Sequence, residues 1–210
     1  MTIAVPEIAA DVELWDAWSP EQVAHALSGV DAPWYVAAGW AIDLFLGEQR
    51  REHGDIEIGV PRARFGEVAE ALVGIELELY VVTGGRAVDL EDAGGLLDAT
   101  HQTWVRDPSS GSWVLDVLPE PSHRDMWVCR RDQRIRAPYS RVIEWTDGGI
   151  PYCAPEIALL FKAKEPQPKD EGDFEALLPH LAPPRREWLS GSLETADPGH
   201  PWIQRLRAPS

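Results

Sequence analysis

Apolar and charged residues alternate along residues 53–60, which read HGDIEIGV. Because successive side chains of a β-strand point to opposite faces, this alternation predicts a strand at 55–60 with Asp55 and Glu57 on one face and aliphatic residues on the other. A strand face that carries two carboxylates is either solvated or a metal site. The alternation alone does not decide between these interpretations.

Capping residues and apolar spacing predict the further elements of the first half. Ser19, Pro20 and Gln22 place a hydroxyl, a first-turn proline and a glutamine as they occur at helix starts. Gly39 lies in a small-residue turn between a strand and a helix. The predicted elements are a helix from 20 to about 29, a strand at 34–37, a helix at 40–46, a helix opened by Pro61 and a strand at 76–82.

Turn residues and helix-start signals organise the second half. The turn PSSG at 108–111 predicts a hairpin whose arms are 103–106 and 112–118. The pattern further along the chain is helical, with predicted helix starts at Pro155 and Lys169.

The length of the chain, 210 residues, allows one full hydrophobic core and a smaller satellite. A hydrophobic content of 44% is typical of a folded globular protein. The order of the predicted elements gives an α/β domain at 1–150 and a helical C-terminal subdomain at 151–210.

The composition also bears on the cellular compartment. Glu7, Asp11 and Glu13 stand where a signal peptide would need basic and then apolar residues. No apolar run reaches the roughly 18 residues that a membrane-spanning helix needs. Cys129 and Cys153 have no partner at metal-ligand spacing, so we expect both to be small buried residues. These features predict a cytoplasmic protein without a membrane partner.

The formal net charge is −16, which opposes binding to phosphate backbones and to anionic membranes. Nucleic acid is therefore disfavoured as a partner. A cationic ligand would be attracted, although an acidic surface also serves solubility alone.

Three carboxylates are candidates for a metal site. Residues two apart on a strand lie about 6.5 to 7 Å apart, so Asp55 and Glu57 can converge on one divalent ion or a pair of ions. Asp116 interrupts the apolar run 113–118, where a buried carboxylate is costly without a cation or donor. The oxygen ligands favour Mg²⁺. Each acid taken alone fits a structural role better.

The stretch AGWAIDLFLGEQRREHGDIEIGV, residues 38–60, resembles the signature of the nucleotidyltransferase superfamily. It is most similar to the small aminoglycoside nucleotidyltransferases, which have a Gly-Gly-Trp-Ala-(Ile/Val)-Asp turn and an Asp-x-(Asp/Glu) strand. The segments LLFKAK and KDEGDF near the C-terminus also resemble this family. The resemblance implies a nucleotidyltransferase fold of the α/β (α+β) class, with a mixed, mostly antiparallel extended sheet flanked by helices and a C-terminal helical subdomain.

The resemblance implies a role for each matching residue. Ala38 and Gly39 match the turn that binds the nucleotide phosphates, with Ala38 in place of the usual glycine or serine, so a positive φ at Ala38 would be strained. Asp55 and Glu57 match the pair that binds two Mg²⁺ ions. Asp116 matches the third metal-binding acid, which also serves as the catalytic base.

The loop between the turn and the strand adds three candidates. Arg51 falls where the relatives also have an arginine and is expected to contact the nucleotide triphosphate. His53 is expected to orient the loop by hydrogen bonding rather than to transfer protons. Asp43, on the helix after the turn, is either an exposed or capping acid or a site residue.

Two lysines near the C-terminus are further candidates for contacts to the triphosphate. Lys169 is preferred because it lies at a helix N-terminus, where anions are favoured, and Lys162 is the other candidate. Lys162 and Lys164 are two residues apart and cannot both face inward. The alternative is that Asp170 caps the helix and Lys169 is solvated.

The predicted function is Mg²⁺-dependent transfer of AMP from ATP, the co-substrate, to a hydroxyl of a small and cationic acceptor such as an aminoglycoside, with release of pyrophosphate. Two alternatives remain open. The acceptor could be a macromolecule, either tRNA or a protein, although the arginines at 124–141 are interpreted first as a solvated hairpin surface. The chain could also be a non-catalytic nucleotide-binding module.

Overall fold

A computed structural model describes residues 7–208 of the chain. Residues 1–6, on which the expected absence of a signal peptide partly depends, lie outside the described residues. The chain divides into two units, one formed by 1–34 and 52–120 and the other by 35–51 and 121–210. The sequence predicted a boundary at residue 150, between an α/β domain and a helical subdomain. That boundary stays a prediction.

The first unit is an α/β structure. Its strands are β1 Glu7–Ala9, β3 Glu57–Pro61, β4 Glu78–Thr83, β5 Arg86–Asp89, β6 Thr103–Arg106 and β7 Trp113–Glu120. Its helices are α1 Pro20–Ala26, α3 Phe65–Val73 and α4 Leu96–Ala99, with 3₁₀ turns at Val12–Leu14 and Arg62–Arg64. The strands follow the order β1-β5-β4-β6-β7-β3. Every pair is antiparallel except β3 with β7, which is parallel.

A tryptophan cluster fills part of the core of the first unit. The rings of Trp15 and Trp104, and those of Trp104 and Trp113, have centroids 5.3 Å apart in edge-to-face geometry. Tyr80 meets Trp113 in the same way at 5.5 Å. Edge-to-face pairs contribute about 0.5–1.5 kcal/mol each beyond their buried area, so this cluster fixes the β4-β6-β7 layer beside the acidic residues.

The second unit is richer in helices. Its strands are β2 Tyr35–Val36, β8 Ser122–His123, β9 Met126–Val128, β10 Arg136–Pro138, β11 Ile143–Trp145 and β12 Pro151–Cys153. Its helices are α2 Ala38–Leu46, α5 Tyr139–Val142, α6 Pro155–Lys162, α7 Pro168–Leu177, α8 Pro183–Ala196 and α9 Pro201–Arg207. Strands β2, β12 and β11 are neighbours in that order, and β10, β9 and β8 form a separate antiparallel sheet.

The predicted helical C-terminal region is confirmed over 154–208, where the described residues form helices and no strand. Proline opens each of α6, α7, α8 and α9, as expected from its fixed φ and missing N–H. Phe174 stacks on Trp202 with ring centroids 4.2 Å apart and thereby packs α9 onto α7.

The predicted capping and hairpin signals are also confirmed. Ser19 Oγ accepts a hydrogen bond from Gln22 N at 3.3 Å, and Gln22 Oε1 accepts one from Ser19 N at 2.8 Å. Strands β6 and β7 pair across the 108–111 turn. Cys129 and Cys153 are buried, as expected. None of the helices within 7–208 is long and apolar enough to cross a membrane.

Several predicted boundaries differ from the structure, among them the start of β4 at Glu78 instead of residue 76 and the end of α1 at Ala26 instead of about residue 29. Helix α2 begins at Ala38, two residues before the predicted start, and β3 begins at Glu57 rather than at residue 55. Pro61 closes β3 instead of opening a helix, and α3 starts at Phe65 after a 3₁₀ turn. The backbone of Pro61, with φ −56° and ψ 127°, shows why: a fixed φ suits the end of a strand as well as the first turn of a helix.

Candidate functional site

The parallel pairing of β3 and β7 places two of the predicted metal-binding acids side by side. Glu57 lies opposite Asp116 in the register of the two strands. Residues in register on neighbouring strands project to the same face from backbones about 4.8 Å apart. Glu57 is half-buried and Asp116 is 3% exposed. The two carboxylates therefore share one partly water-excluded face of the first unit.

Asp116 is held by donors from the start of β6. Gln102 Nε2 donates to Asp116 Oδ2 at 3.1 Å, and Thr103 N donates to Asp116 Oδ1 at 3.2 Å. Burial, followed by the negative charge of Glu57, raises the pKa of Asp116 well above its ordinary value despite these donors. A divalent cation would relieve this repulsion, and the oxygen ligands suit Mg²⁺, so the pair fits a metal role.

Asp55 lies outside the register of β3 and β7 that pairs Glu57 with Asp116. It lies before β3 and is exposed. The next residue, Ile56, still pairs with β7, because its carbonyl oxygen accepts a hydrogen bond from Asp116 N at 2.9 Å. No group of three or more His, Cys, Asp or Glu side chains within the described part of the chain is arranged to hold a metal ion. The structure thus brings Glu57 and Asp116 together, while Asp55 and the half-buried His53 lie in the preceding loop.

The small-residue turn of the second unit has a left-handed residue at its first helical position. Ala38 has φ +50°, in the left-handed region that favours glycine, and Gly39 is buried at the start of α2. Ala37, at the N-cap, has no side-chain acceptor for the first amide groups of the helix. Such N–H groups at a helix start can bind a phosphate. The condition under which Ala38 would be strained, a positive φ, is therefore met.

The loop after α2 is fixed by a buried acid. Asp43 is 4% exposed, and its Oδ2 accepts a hydrogen bond from Arg50 N at 3.2 Å. Gly47, which ends the helix with φ +77°, donates its N–H to Asp43 O at 2.9 Å. Asp43 therefore organises the loop that carries Arg50 and Arg51, and it is not exposed.

Two of the predicted cations meet at one carboxylate. Lys162 Nζ lies 2.9 Å from Asp173 Oδ2 and 2.9 Å from Asp170 Oδ1. Arg51 Nη2 lies 3.8 Å from Asp173 Oδ2. Lys162 faces inward with a side chain 10% exposed, whereas Lys164 is exposed, as their spacing predicts.

Lys169 and Asp170 follow the alternative that the sequence left open. Lys169 is exposed in the first turn of α7. Asp170 Oδ2 accepts a hydrogen bond from Gln167 N at 3.0 Å and so caps the helix. Burial alone would raise the pKa of Asp170, but the hydrogen bonds from Lys162 and Gln167 hold that pKa below its ordinary value. The predicted contact of Lys169 to a triphosphate stays a prediction.

Sequence reasoning missed three residues of this arrangement. Gln102 and Arg50 carry no motif that distinguishes them from other polar residues in loops. Asp173 could have been found, because Asp170 and Asp173 are three residues apart and lie on one face of a helix.

The family model of aminoglycoside-2''-adenylyltransferases matches residues 21–98, which include the turn and the Asp55–Glu57 stretch. A 2''-aminoglycoside nucleotidyltransferase of Klebsiella pneumoniae is 35% identical over 108 residues, or 51% of this chain and 55% of that protein. The resemblance to aminoglycoside nucleotidyltransferases is confirmed. A nucleotidyltransferase of the same description from Escherichia coli is 31% identical over 97 residues, 46% of this chain and 49% of that protein. The chain spans about half the length of these relatives.

Solved structures of two antibiotic nucleotidyltransferases share the fold. The lincosamide adenylyltransferase LnuA, with lincomycin bound, has a TM-score of 0.53 at 18% identity over 75% of this chain and 92% of that one. ANT(2'')-Ia in complex with adenylyl-2''-tobramycin has a TM-score of 0.56 at 16% identity over 83% and 95% of the two chains. The predicted nucleotidyltransferase fold, a mixed α/β fold with mostly antiparallel strand pairs, is confirmed.

Proposed function

We propose that this chain transfers AMP from ATP to a hydroxyl of an aminoglycoside-type acceptor and releases pyrophosphate. The observation that carries the proposal is the register pairing of Glu57 with Asp116. Glu57 lies within the segment, residues 21–98, that matches aminoglycoside adenylyltransferases, and Asp116 is its partner in register on the neighbouring strand. A buried carboxylate beside a second carboxylate lowers the stability of the fold unless a cation pairs with it. The same two groups are suitable ligands for a divalent cation.

Magnesium is the proposed metal, with two ions. Asp55, Glu57 and Asp116 would hold them, and the ions would supply the positive charge that stabilises the transferring phosphoryl group. Asp116 would complete the metal site or accept the proton of the acceptor hydroxyl. Gln102 and Thr103 support either role, because their donors fix both carboxylate oxygens of Asp116.

The nucleotide is proposed to contact residues of the second unit. The N–H groups at Ala38 and Gly39 would bind phosphate oxygens, as helix N-termini do. Arg51, Lys162 and Lys169 would supply charge-assisted donors to the triphosphate. His53 would orient the loop that carries Arg51. These contributions are positioning and electrostatic stabilisation, which provide most of the acceleration in phosphoryl transfer.

The acceptor is proposed to be small and cationic. A net charge of −16 attracts polyamines and opposes a polyanion such as tRNA. The relatives are described as acting on aminoglycosides, and the lincosamide enzyme is bound to lincomycin. Both antibiotics carry hydroxyls and basic nitrogen, so both classes belong in the test. The proposed compartment is the cytoplasm.

Mass spectrometry of acceptors tests this function. The protein is incubated with Mg²⁺, ATP and a panel of aminoglycosides, lincosamides and tRNA, and each acceptor is examined for the mass of one AMP. We expect a gain on an aminoglycoside that disappears in Glu57→Gln and in Asp116→Asn. A gain on tRNA alone would exclude the proposed acceptor class. Binding of ATP without a gain on any acceptor would favour a nucleotide-binding module.

A further inference from the structure

Asp173 lies where three cationic side chains of the second unit meet. Its carboxylate is 4% exposed and lies 2.9 Å from Lys162 Nζ, 3.6 Å from Arg50 Nη1 and 3.8 Å from Arg51 Nη2. The three cations come from different parts of the chain, because the arginines precede β3 and the lysine ends α6. One buried carboxylate thus gathers cations from two segments distant in sequence.

The cluster concentrates cations in an otherwise acidic chain of net charge −16. The ion pairs join the cations Arg50, Arg51 and Lys162 to the acids Asp170 and Asp173. A further buried acid, Asp43, accepts a hydrogen bond from Arg50 N in the same unit. Three cations converge on the one carboxylate of Asp173, and this concentration of positive groups suits an anionic ligand.

The cluster combines a fixed part with an accessible part. The Lys162 side chain is 10% exposed, whereas the side chains of Arg50 and Arg51 are 27% and 33% exposed. Arg50 is anchored twice more, through its N–H to Asp43 and through Nη2 to Gly172 O at 3.5 Å. The guanidinium groups are therefore held in place and still open to a ligand.

We propose that Asp173 is a positioning residue that holds Arg50, Arg51 and Lys162 as a preassembled binding group for the triphosphate of the donor nucleotide. The proposal rests on the proposed nucleotidyl transfer and deepens it. Lys and Arg side chains lose much rotamer freedom when they bind a ligand, and cations already held by a buried carboxylate lose less. Asp173 would thus strengthen triphosphate binding although its own charge repels the ligand.

Positioning of the cations by Asp173 and repulsion of the ligand by its charge have opposite effects on binding, so Asp173→Asn tests the proposal. If Asp173 acted only as a neighbouring negative charge, its removal would tighten anion binding, because an anion is attracted more strongly once a like charge has gone. If it positions the cations, its removal weakens binding. Asp173→Glu keeps the charge on a longer side chain and should rescue part of the loss. Glu175→Gln, an exposed change of equal charge on the same helix, is the matched control.

Calorimetric binding of inorganic tripolyphosphate to the whole chain is the measurement, with circular dichroism to show that each variant is folded at the chosen temperature. We expect Asp173→Asn to bind about tenfold more weakly than the wild type, Asp173→Glu to lie between them, and Glu175→Gln to stay within about twofold. Equal or tighter binding by Asp173→Asn would overturn the proposal. So would a wild type that does not bind tripolyphosphate.

Failure of this inference can be told apart from failure of the proposed function. Transfer of AMP by the wild type, together with unchanged tripolyphosphate binding in Asp173→Asn, would remove only the positioning role. A weakened Asp173→Asn in a protein that modifies no acceptor would keep the anion-binding group and remove the transfer reaction. In an active protein, Asp173→Asn should raise KM for ATP more than it lowers kcat, since the effect is on donor binding.

Discussion

At the scale of single residues, Ala38 is the position where local strain and the proposed phosphate turn coincide. A left-handed φ costs an L-residue about 1–2 kcal/mol, and Ala38 has φ +50°. Glycine adopts this region freely, but it loses more conformational entropy on folding, by roughly 0.5–1 kcal/mol. The strain is therefore the larger of the two effects.

Ala38→Gly should accordingly raise the free energy of unfolding by about 0.5–1 kcal/mol. Thermal unfolding followed by circular dichroism measures this change. The control is Ala71→Gly in the interior of α3, where φ is helical and the same substitution should destabilise the protein by about 0.5–1 kcal/mol. A destabilised Ala38→Gly would show that the alanine methyl group, and not backbone strain, dominates at the turn.

Asp116 illustrates a second conflict at this scale, between stability and proposed activity. Burial and then the charge of Glu57 raise its pKa. An acid whose pKa is raised in the folded state contributes stability below its unfolded pKa and loses that contribution as the pH rises through its folded pKa. Ionised Asp116 without a cation therefore opposes folding at neutral pH.

In EDTA, Asp116→Asn should be more stable than the wild type at pH 8, and the difference should shrink toward pH 4. Each tenfold change in the ionisation constant corresponds to about 1.4 kcal/mol. Urea unfolding at several pH values measures this. Asp107→Asn is the control for which the opposite sign is expected, because hydrogen bonds from Ser109 lower the pKa of Asp107. This variant should be less stable than the wild type at pH 8. A less stable Asp116→Asn at pH 8 would contradict the account.

At the scale of secondary-structure elements, the sequence predicted those that combine capping residues with strong periodicity. The α1 cap, the β6–β7 hairpin and helices α6 and α7 are confirmed, because their signals are local. The start of β3 was predicted two residues early, because alternation continues through Asp55 although the β-ladder does not. Of the candidate site, the Glu57–Asp116 pair agrees with the sequence pattern. The spacing of Asp170 and Asp173 marks Asp173 as a candidate, but its partners Arg50 and Arg51, like the contact of Gln102 with Asp116, depend on long-range packing and could not be predicted.

The N-terminus of α7 gives a prediction for an element. Asp170 accepts a hydrogen bond from Gln167 N and pairs with Lys162. Asp170→Ala removes both interactions and should cost about 1 kcal/mol or more in the free energy of unfolding at pH 7, whereas Asp170→Asn keeps an oxygen acceptor and should cost less. Lys169→Ala, an exposed change next to it, should stay within about 0.5 kcal/mol.

The pH dependence of the Asp170 variants has a defined sign. Because the pKa of Asp170 lies below its ordinary value of 3.8, its ion-pair stabilisation is present above pH 3.8 and lost as the pH falls through the folded-state pKa. The difference between the wild type and Asp170→Ala should therefore decrease below pH 3.8. A difference that is constant with pH would assign the effect to helix propensity instead.

At the scale of the whole molecule, the net charge of −16 affects the two proposed substrates in opposite ways. A polycationic aminoglycoside is attracted and ATP is repelled by the same field, and salt screens both effects within a Debye length of about 10 Å at 0.1 M. Raising NaCl from about 0.05 to 0.5 M should therefore lower kcat/KM for the aminoglycoside severalfold, while kcat/KM for Mg-ATP falls less or rises. An acceptor with acetylated amines is the control, since it has lost the charge and should show little salt dependence. Equal salt dependence for the charged and the acetylated acceptor would mean that the acidic surface serves solubility alone and plays no part in attracting the acceptor.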